Sequence, residues 1–195
     1  MRIINVYFFL IIVCGCDTES QENPNSSAAA PQVNVTQWIH HISKDKTFEV
    51  DFPSAPEPWK TEFESPDYGQ TDFHYLTSKS SGMMFGVNYN DYPRDLTDFE
   101  ADSELKNAYT LPDTGAQILA TSEVLVADIP AIEVISKTGP IYMVGRFFIS
   151  DARRLYSLQV GSARDVRGDR KAIDRFFNSF QLEASADQRS PVVTK

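Results

Sequence analysis

The sequence YMVGRFFISDARRLYSLQV, residues 142–160, decides the fold of this chain. Residues 142–149 are apolar on both faces apart from Gly145 and Arg146, which is typical of a central strand covered on each side. Ser150-Asp151-Ala152-Arg153 is a turn sequence, and a second strand follows it directly. Two strands joined by so short a turn must run antiparallel, so the sheet is expected to be antiparallel here.

The segments on either side of this hairpin predict more strands and two helices. Alternating apolar and polar residues predict strands at residues 48–52, 59–64, 72–75, 83–90, 117–126 and 131–136. Thr97 and Glu100 have the spacing of a capping box at the start of the first helix, and Asp95 is an alternative cap. The buried face of this helix is expected to hold Leu96, Phe99, Leu105, Ala108 and Tyr109. The second helix spans about residues 170–180 and carries an apolar stripe. Both helices must bury a face against the sheet, which predicts the α+β class.

Three stretches carry a family resemblance. Phe48-Glu49-Val50-Asp51-Phe52-Pro53-Ser54-Ala55-Pro56 resembles the F-x-V-x-F-P-x-x-P opening of the PsbP-like superfamily. Residues 145–158 resemble the late hairpin of that family, and residues 176–182 resemble its closing F-x-x-S-F-x-L. The likeness spans residues 46–183 and implies an α/β/α sandwich with a central, mainly antiparallel sheet. The family includes photosystem II extrinsic proteins, Ran-binding Mog proteins and DcrB-like lipoproteins, most of which are not enzymes.

The N-terminus predicts export and anchoring. Arg2 precedes a run at residues 3–13 that is apolar apart from Asn5, which is the layout of a secretory signal. The run is shorter than the ~20 residues that a transmembrane helix needs. Val13-Cys14-Gly15-Cys16 resembles the lipobox of bacterial lipoproteins, which implies cleavage before Cys16 and a lipid on its sulfur. An ordinary secretory signal and an uncleaved anchor stay open as alternatives.

These features predict four parts of the chain. They are a signal peptide at residues 1–15, a lipidated Cys16 with a flexible spacer to residue 37, a PsbP-like domain at 38–183, and a disordered tail at 184–195. The predicted location is the cell envelope, on the periplasmic face of the inner membrane or on the outer membrane.

Charge and cysteine content exclude some classes of function. The chain has a formal net charge of −9, which becomes −10 once a signal containing Arg2 is removed. This acidity argues against bulk binding to nucleic acid or to anionic lipid. Cys16 is the one cysteine left after the predicted cleavage, so the sequence offers the domain no internal disulfide, thiol nucleophile or thiolate metal site.

A basic segment interrupts this acidity. Residues 146–175 contain seven arginines and one lysine against four aspartates. Two interpretations stay open. The segment pairs with acidic residues elsewhere in the fold, or it forms a patch for an anion or a partner, with Arg146, Arg153 and Arg154 as the candidate contacts.

The sequence contains no clear catalytic or metal-binding pattern. His40 and His41 are adjacent and do not have the i, i+4 spacing of a metal pair on one helix face. His74 stands alone, and the acidic run at residues 91–104 lacks the pattern of a calcium loop. The sequence therefore predicts no catalytic residue, no metal ligand and no cofactor.

The leading functional hypothesis is a membrane-tethered, non-catalytic accessory or protein-binding domain whose partner is another envelope protein. The alternatives are a small-ligand or metal-binding lipoprotein and an envelope hydrolase that uses carboxylates.

Overall fold

The fold is α+β, as the sequence predicts. The computed structural model describes residues 37–65, 67–110 and 114–183. Its elements are β1 (Ile39–Ile42), β2 (Phe48–Phe52), β3 (Glu57–Ser65), β4 (Gly69–Ser80), β5 (Met83–Asp91), α1 (Asp98–Thr110), β6 (Gln117–Val126), β7 (Ile129–Thr138), β8 (Ile141–Ser150), β9 (Arg154–Ser162), α2 (Arg170–Ser179) and β10 (Gln181–Leu182).

Seven strands form one antiparallel sheet in the order β3-β4-β5-β9-β8-β7-β6. Strand β8 lies between β9 and β7, which confirms the interior strand expected at residues 142–149. Asp151 and Ala152 form the predicted turn with φ angles of 54° and 51°. Two-residue hairpins favour this left-handed backbone because it matches the twist of the strands.

A second, three-stranded sheet has the order β1-β2-β10. Strand β10 returns from the C-terminal side of α2 and places Leu182 opposite Phe48. The sequence pattern did not predict β1 and β10, because strands of four and two residues are too short to show a recognisable alternation of apolar and polar residues.

The two helices lie on opposite faces of the large sheet. Phe148 and Tyr156 pack in one core with the apolar residues of α2 and β2. Their chain neighbours Ile149 and Leu155 pack in a second core with α1. Because successive side chains of a strand point to opposite faces, these two cores lie on the two sides of the sheet. The predicted α/β/α sandwich is therefore confirmed, with the small sheet sharing the layer of α2.

Helix α1 begins at the predicted capping box. The Thr97 backbone N donates to Glu100 Oε2 at 2.9 Å, and the Glu100 backbone N donates to Thr97 Oγ1 at 3.3 Å. The prediction that Phe99 lies on the buried face is wrong, because its side chain is 83% exposed. The packed residues of the helix are Ala101, Leu105 and Ala108, spaced four and three apart. Phe99 is six residues from Leu105 and so lies on another side of the helix.

No helix within the described ranges is long and apolar enough to cross a bilayer.

Candidate functional site

A cleft of about 1050 Å³ opens at one end of the sandwich. The β6–β7 and β8–β9 turns, the end of β5, the β1–β2 loop and the end of β10 surround it. Its charged lining residues are Asp45, Lys46, Asp91, Asp128, Asp151, Arg153, Arg154 and Glu183. Five of these are acidic and three are basic, so the cleft does not present a basic surface to an anion.

Arg154 is the charged centre of this cleft. Its Nε and Nη2 bind the two carboxylate oxygens of Asp91, the second at 2.9 Å, in a two-pronged pair. Its Nη1 donates to Asp45 Oδ2 at 2.8 Å and to Thr47 Oγ1 at 2.6 Å. Arg154 therefore ties β9 to the end of β5 and to the β1–β2 loop, and two carboxylates share its charge.

The pKa values at this cluster follow from the pairing. Burial on its own raises the pKa of Asp45, but hydrogen bonds from Ser43, Arg154 and Thr47 hold that pKa below its ordinary value. Burial on its own lowers the pKa of Arg154, whereas Asp91 and Tyr156 raise it above its ordinary value. Both side chains are therefore charged in the folded protein at neutral pH.

Two rings stack beside Arg154. The His74 ring lies parallel to Tyr89 with centroids 4.4 Å apart, and the Arg154 guanidinium lies 4.6 Å from the centre of the same tyrosine ring. Burial raises the pKa of Tyr89 to about 12. Burial lowers the pKa of His74, and Lys60 and Arg154 lower it further against the opposing effect of Asp91, 3.5 Å from Nε2.

The lowered pKa of His74 predicts a pH effect on stability. Between the folded and unfolded pKa values of His74, the unfolded chain binds more protons than the folded one. Stability contributed by neutral His74 is therefore present above pH ~6.5 and is lost as the pH falls through the folded pKa. Urea unfolding measured between pH 5 and 8 is expected to show a smaller pH slope for His74→Gln than for the wild-type protein.

His40→Gln is the matched control for this experiment. Hydrogen bonding to Asp51 is the largest of the effects that raise the pKa of exposed His40, so its contribution to the slope has the opposite sign. If His74→Gln leaves the slope unchanged, the neutral stack of His74 on Tyr89 is not what makes stability depend on pH.

The other two predicted contact residues lie in different surroundings. Arg153 is exposed and donates to the main-chain oxygens of Tyr92 and Pro93 at 3.1 and 3.2 Å. No carboxylate of the described residues forms an ion pair with it. Arg146 lies on the α2 face of the sheet, where Nε donates to Glu133 Oε2 at 2.9 Å and the guanidinium lies 4.6 Å from the centre of the Phe177 ring.

The structure thus brings Arg153 and Arg154 to one cleft and leaves Arg146 elsewhere. Arg146 and Arg154 are engaged with carboxylates, as the pairing interpretation of the basic segment expects. Arg153 is the member of the set whose charge the described carboxylates leave unpaired. A contact with an anion or a partner at these three residues stays a prediction.

Sequence reasoning missed the acidic partners of these arginines. Asp91 and Asp45 lie 63 and 109 residues from Arg154, and Glu133 binds both Arg146 and Arg170. One signal was available, because Glu133 is the lone charge in an otherwise apolar stretch of β7 and Arg146 is the lone charge in β8. Two such residues on neighbouring strands are natural partners.

The remaining candidates stay apart from this cleft. His40 lies between Glu49 and Asp51 on the outer side of the small sheet, at 3.2 and 3.1 Å. Within the described ranges, no group of three histidine, cysteine or acidic side chains is placed to hold a metal ion. The predicted lipidation site Cys16, the signal and spacer before Gln37, and the tail after Glu183 lie outside the described residues.

Comparison with known proteins gives a structural likeness. No family model matches the chain, and no curated protein matches it. Among solved structures, the chain is similar to the solution structure of cyanobacterial PsbP (CyanoP) from Synechocystis sp. PCC 6803. The similarity covers 80% of this chain and 99% of that one, with 11% sequence identity and a TM-score of 0.50. At this identity the likeness concerns the fold alone, and the chain has a PsbP-like fold.

Proposed function

We propose that this protein is a lipid-anchored accessory protein of the cell envelope. Cys16 carries the lipid, and the domain that starts at Trp38 acts by contact with another envelope protein and not by catalysis. The observation that carries the proposal is Val13-Cys14-Gly15-Cys16 at the end of a short apolar run, directly before polar Asp17. One acyl chain binds a bilayer only marginally, but two or three chains on one cysteine give a stable anchor.

The described domain supports the second half of this proposal. Its most enclosed charged side chains, Arg146, Glu133 and Arg154, are all engaged in ion pairs: Arg146 with Glu133, and Arg154 with Asp91 and Asp45. A catalytic group instead needs a proton or a lone pair that is available to substrate. Large apolar side chains remain exposed, among them Phe99 and Leu125, and are available for contact with another protein.

Metabolic labelling with a radioactive fatty acid tests the anchor. The wild-type chain is expected to take up label and to sediment with membranes. Cys16→Ala is expected to lose the label completely and to leave the membrane fraction, because the sulfur that forms the thioether is gone. Cys14→Ala is the matched control, since it removes the neighbouring cysteine from a permissive position of the lipobox and is expected to keep the label.

Two results would contradict lipidation at Cys16. Label that persists in Cys16→Ala, or label that is lost from Cys14→Ala alone, would show that Cys16 is not the lipidated residue. Cross-linking of the labelled wild-type protein in native membranes, followed by mass spectrometry, then tests for a protein partner.

A further inference from the structure

Strand β6 is an open edge of the large sheet, since no strand of the described residues pairs with its outer side. It pairs with β7 and is the last strand in the sheet order. Residues 117–123 and Leu125 are exposed along it, and Val126 at its end is buried. A strand of this kind presents a row of unpaired backbone N–H and C=O groups to solvent.

The two edges of the sheet differ in how well they resist pairing. Strand β3, at the other edge, contains a proline and four charged residues: Glu57, Pro58, Lys60, Glu62 and Glu64. Proline and charge at an edge discourage further strand pairing. Strand β6 contains no proline, no lysine and no arginine, and Glu123 is its one charge. It has a single β-bulge, between Ile118 and Ala120, which leaves residues 120–126 regular.

We infer that β6 is a docking edge for a second copy of this chain, with the two β6 strands antiparallel about a two-fold axis at Ser122. The inference rests on the proposed anchor, because lipidated copies share one membrane plane and are joined to it by the same length of chain. Two-fold self-pairing is the commonest symmetry of soluble homo-oligomers. A free strand edge supplies backbone hydrogen bonds for such pairing.

The alternation of side chains selects the register. Thr121 and Glu123 lie opposite Val134 and Ile132 and so share one face of the sheet. In an antiparallel pair, directly opposed residues must lie on the same face. A two-fold axis at Ser122 satisfies this rule and places Thr121 of each copy opposite Glu123 of the other.

The two neighbouring registers with the correct faces are worse. An axis at Glu123 would place the two carboxylates opposite each other, and like charges in that position are destabilising. An axis at Thr121 would place Glu123 beside the bulge at Leu119. With the axis at Ser122, Ala120 meets Val124, and Leu125 lies beside the bulge at Leu119 of the other copy. The strand is thus complementary to itself, with a polar centre between two apolar ends.

Cysteine cross-linking of the full chain in membranes tests this register. In the Ser122→Cys variant, the introduced cysteines of the two copies are directly opposed. Their Cα separation of ~5 Å suits a disulfide. In the Thr121→Cys variant, the two introduced cysteines are offset along the strands. Their Cα atoms are roughly 8 Å apart, beyond the reach of a disulfide. Mild oxidation is expected to give about fivefold more disulfide-linked homodimer for Ser122→Cys than for Thr121→Cys, with the wild-type chain as the blank.

Charge substitutions in the Ser122→Cys background test the predicted neighbour of Glu123. Thr121→Glu creates two close carboxylate pairs per dimer and is expected to reduce cross-linking roughly tenfold. Thr121→Lys creates two opposite-charge pairs instead and is expected to retain or increase the cross-linking. Thermal melting of each variant confirms that the domain is folded.

Three results would overturn the inference: equal cross-linking of the two cysteine variants, cross-linking of Ser122→Cys to a different protein, or equal effects of Thr121→Glu and Thr121→Lys. Fatty-acid label on Cys16 reports the anchor independently. A labelled protein without cross-linking therefore refutes the pairing of β6 and leaves the proposed anchor intact.

Discussion

Replacing Phe48 by alanine is expected to lower the free energy of unfolding by about 3–5 kcal/mol, the range for large aromatic truncations in a core. Phe48 is fully buried at the start of β2. Its ring stacks on Phe180 with centroids 5.4 Å apart and meets Tyr89 and Tyr156 edge-on at 5.6 and 5.9 Å. The side chain therefore joins the small sheet, the large sheet and the end of α2, and its removal leaves a cavity between the large sheet and the layer that covers it, which the surroundings fill only in part.

Two substitutions control this experiment. Phe48→Leu keeps most of the apolar volume and is expected to cost ~1 kcal/mol. Phe99→Ala removes the same ring from a site that is 83% exposed and is expected to change stability by less than ~0.5 kcal/mol. Urea unfolding followed by tryptophan fluorescence measures all three. A loss for Phe48→Ala no larger than that for Phe99→Ala would show that the aromatic core is not organised around Phe48.

Replacing Glu133 by glutamine is expected to destabilise the fold by about 3–5 kcal/mol, because it leaves the buried charge of Arg146 without its carboxylate. The Arg146 and Glu133 side chains are only 11% and 9% exposed. Glu133 also accepts two hydrogen bonds from Arg170, at 2.8 and 2.9 Å. Arg170 suffers less from the substitution, since it is more exposed and keeps Asp174 at 2.7 Å.

A double substitution separates the cost of an orphaned charge from the value of the pair. Glu133→Leu combined with Arg146→Met removes both charges and is expected to recover most of the loss, to within ~1 kcal/mol of wild type. Unfolding midpoints in urea for Glu133→Leu, Arg146→Met and the double variant complete the cycle. A double variant as unstable as Glu133→Gln would mean that the ion pair itself stabilises the sheet.

The Glu133 carboxylate also makes the stability of the fold depend on pH in the acidic range. Burial on its own raises the pKa of Glu133, but hydrogen bonds from Arg170 and Arg146 hold it below its ordinary value. Because the folded pKa is depressed, this stability is present above pH ~4.5 and is lost as the pH falls through the folded pKa. The double variant is therefore expected to lose less stability than wild type between neutral pH and pH 3.

Much of the fold was predictable from local pattern. Alternation located most strands of the large sheet, and the turn at residues 150–153 fixed the antiparallel hairpin of β8 and β9. The capping box at Thr97 placed the start of α1 correctly. These features depend on which face of a short segment is apolar and on which residues form turns, and both are properties of neighbours in the chain.

The candidate cleft was much less predictable. The basic segment drew attention to Arg153 and Arg154, but their surroundings depend on residues far away in the chain. The Arg154 partners Asp91 and Asp45 come from another strand and a distant loop. A local sequence pattern does not predict which carboxylate, distant in the chain, will pair with a given guanidinium.

The sequence by itself determined the order and type of the main elements and the acidic character of the chain, and it predicts a lipid anchor at Cys16. Only the tertiary structure decided that β6 is an open edge, that β1 and β10 form a separate sheet with β2, and that Arg154 is bound by two carboxylates. The reason is physical. Hydrophobic pattern specifies which side of a segment is buried, whereas strand order and charge pairing depend on how all the buried sides pack together at once.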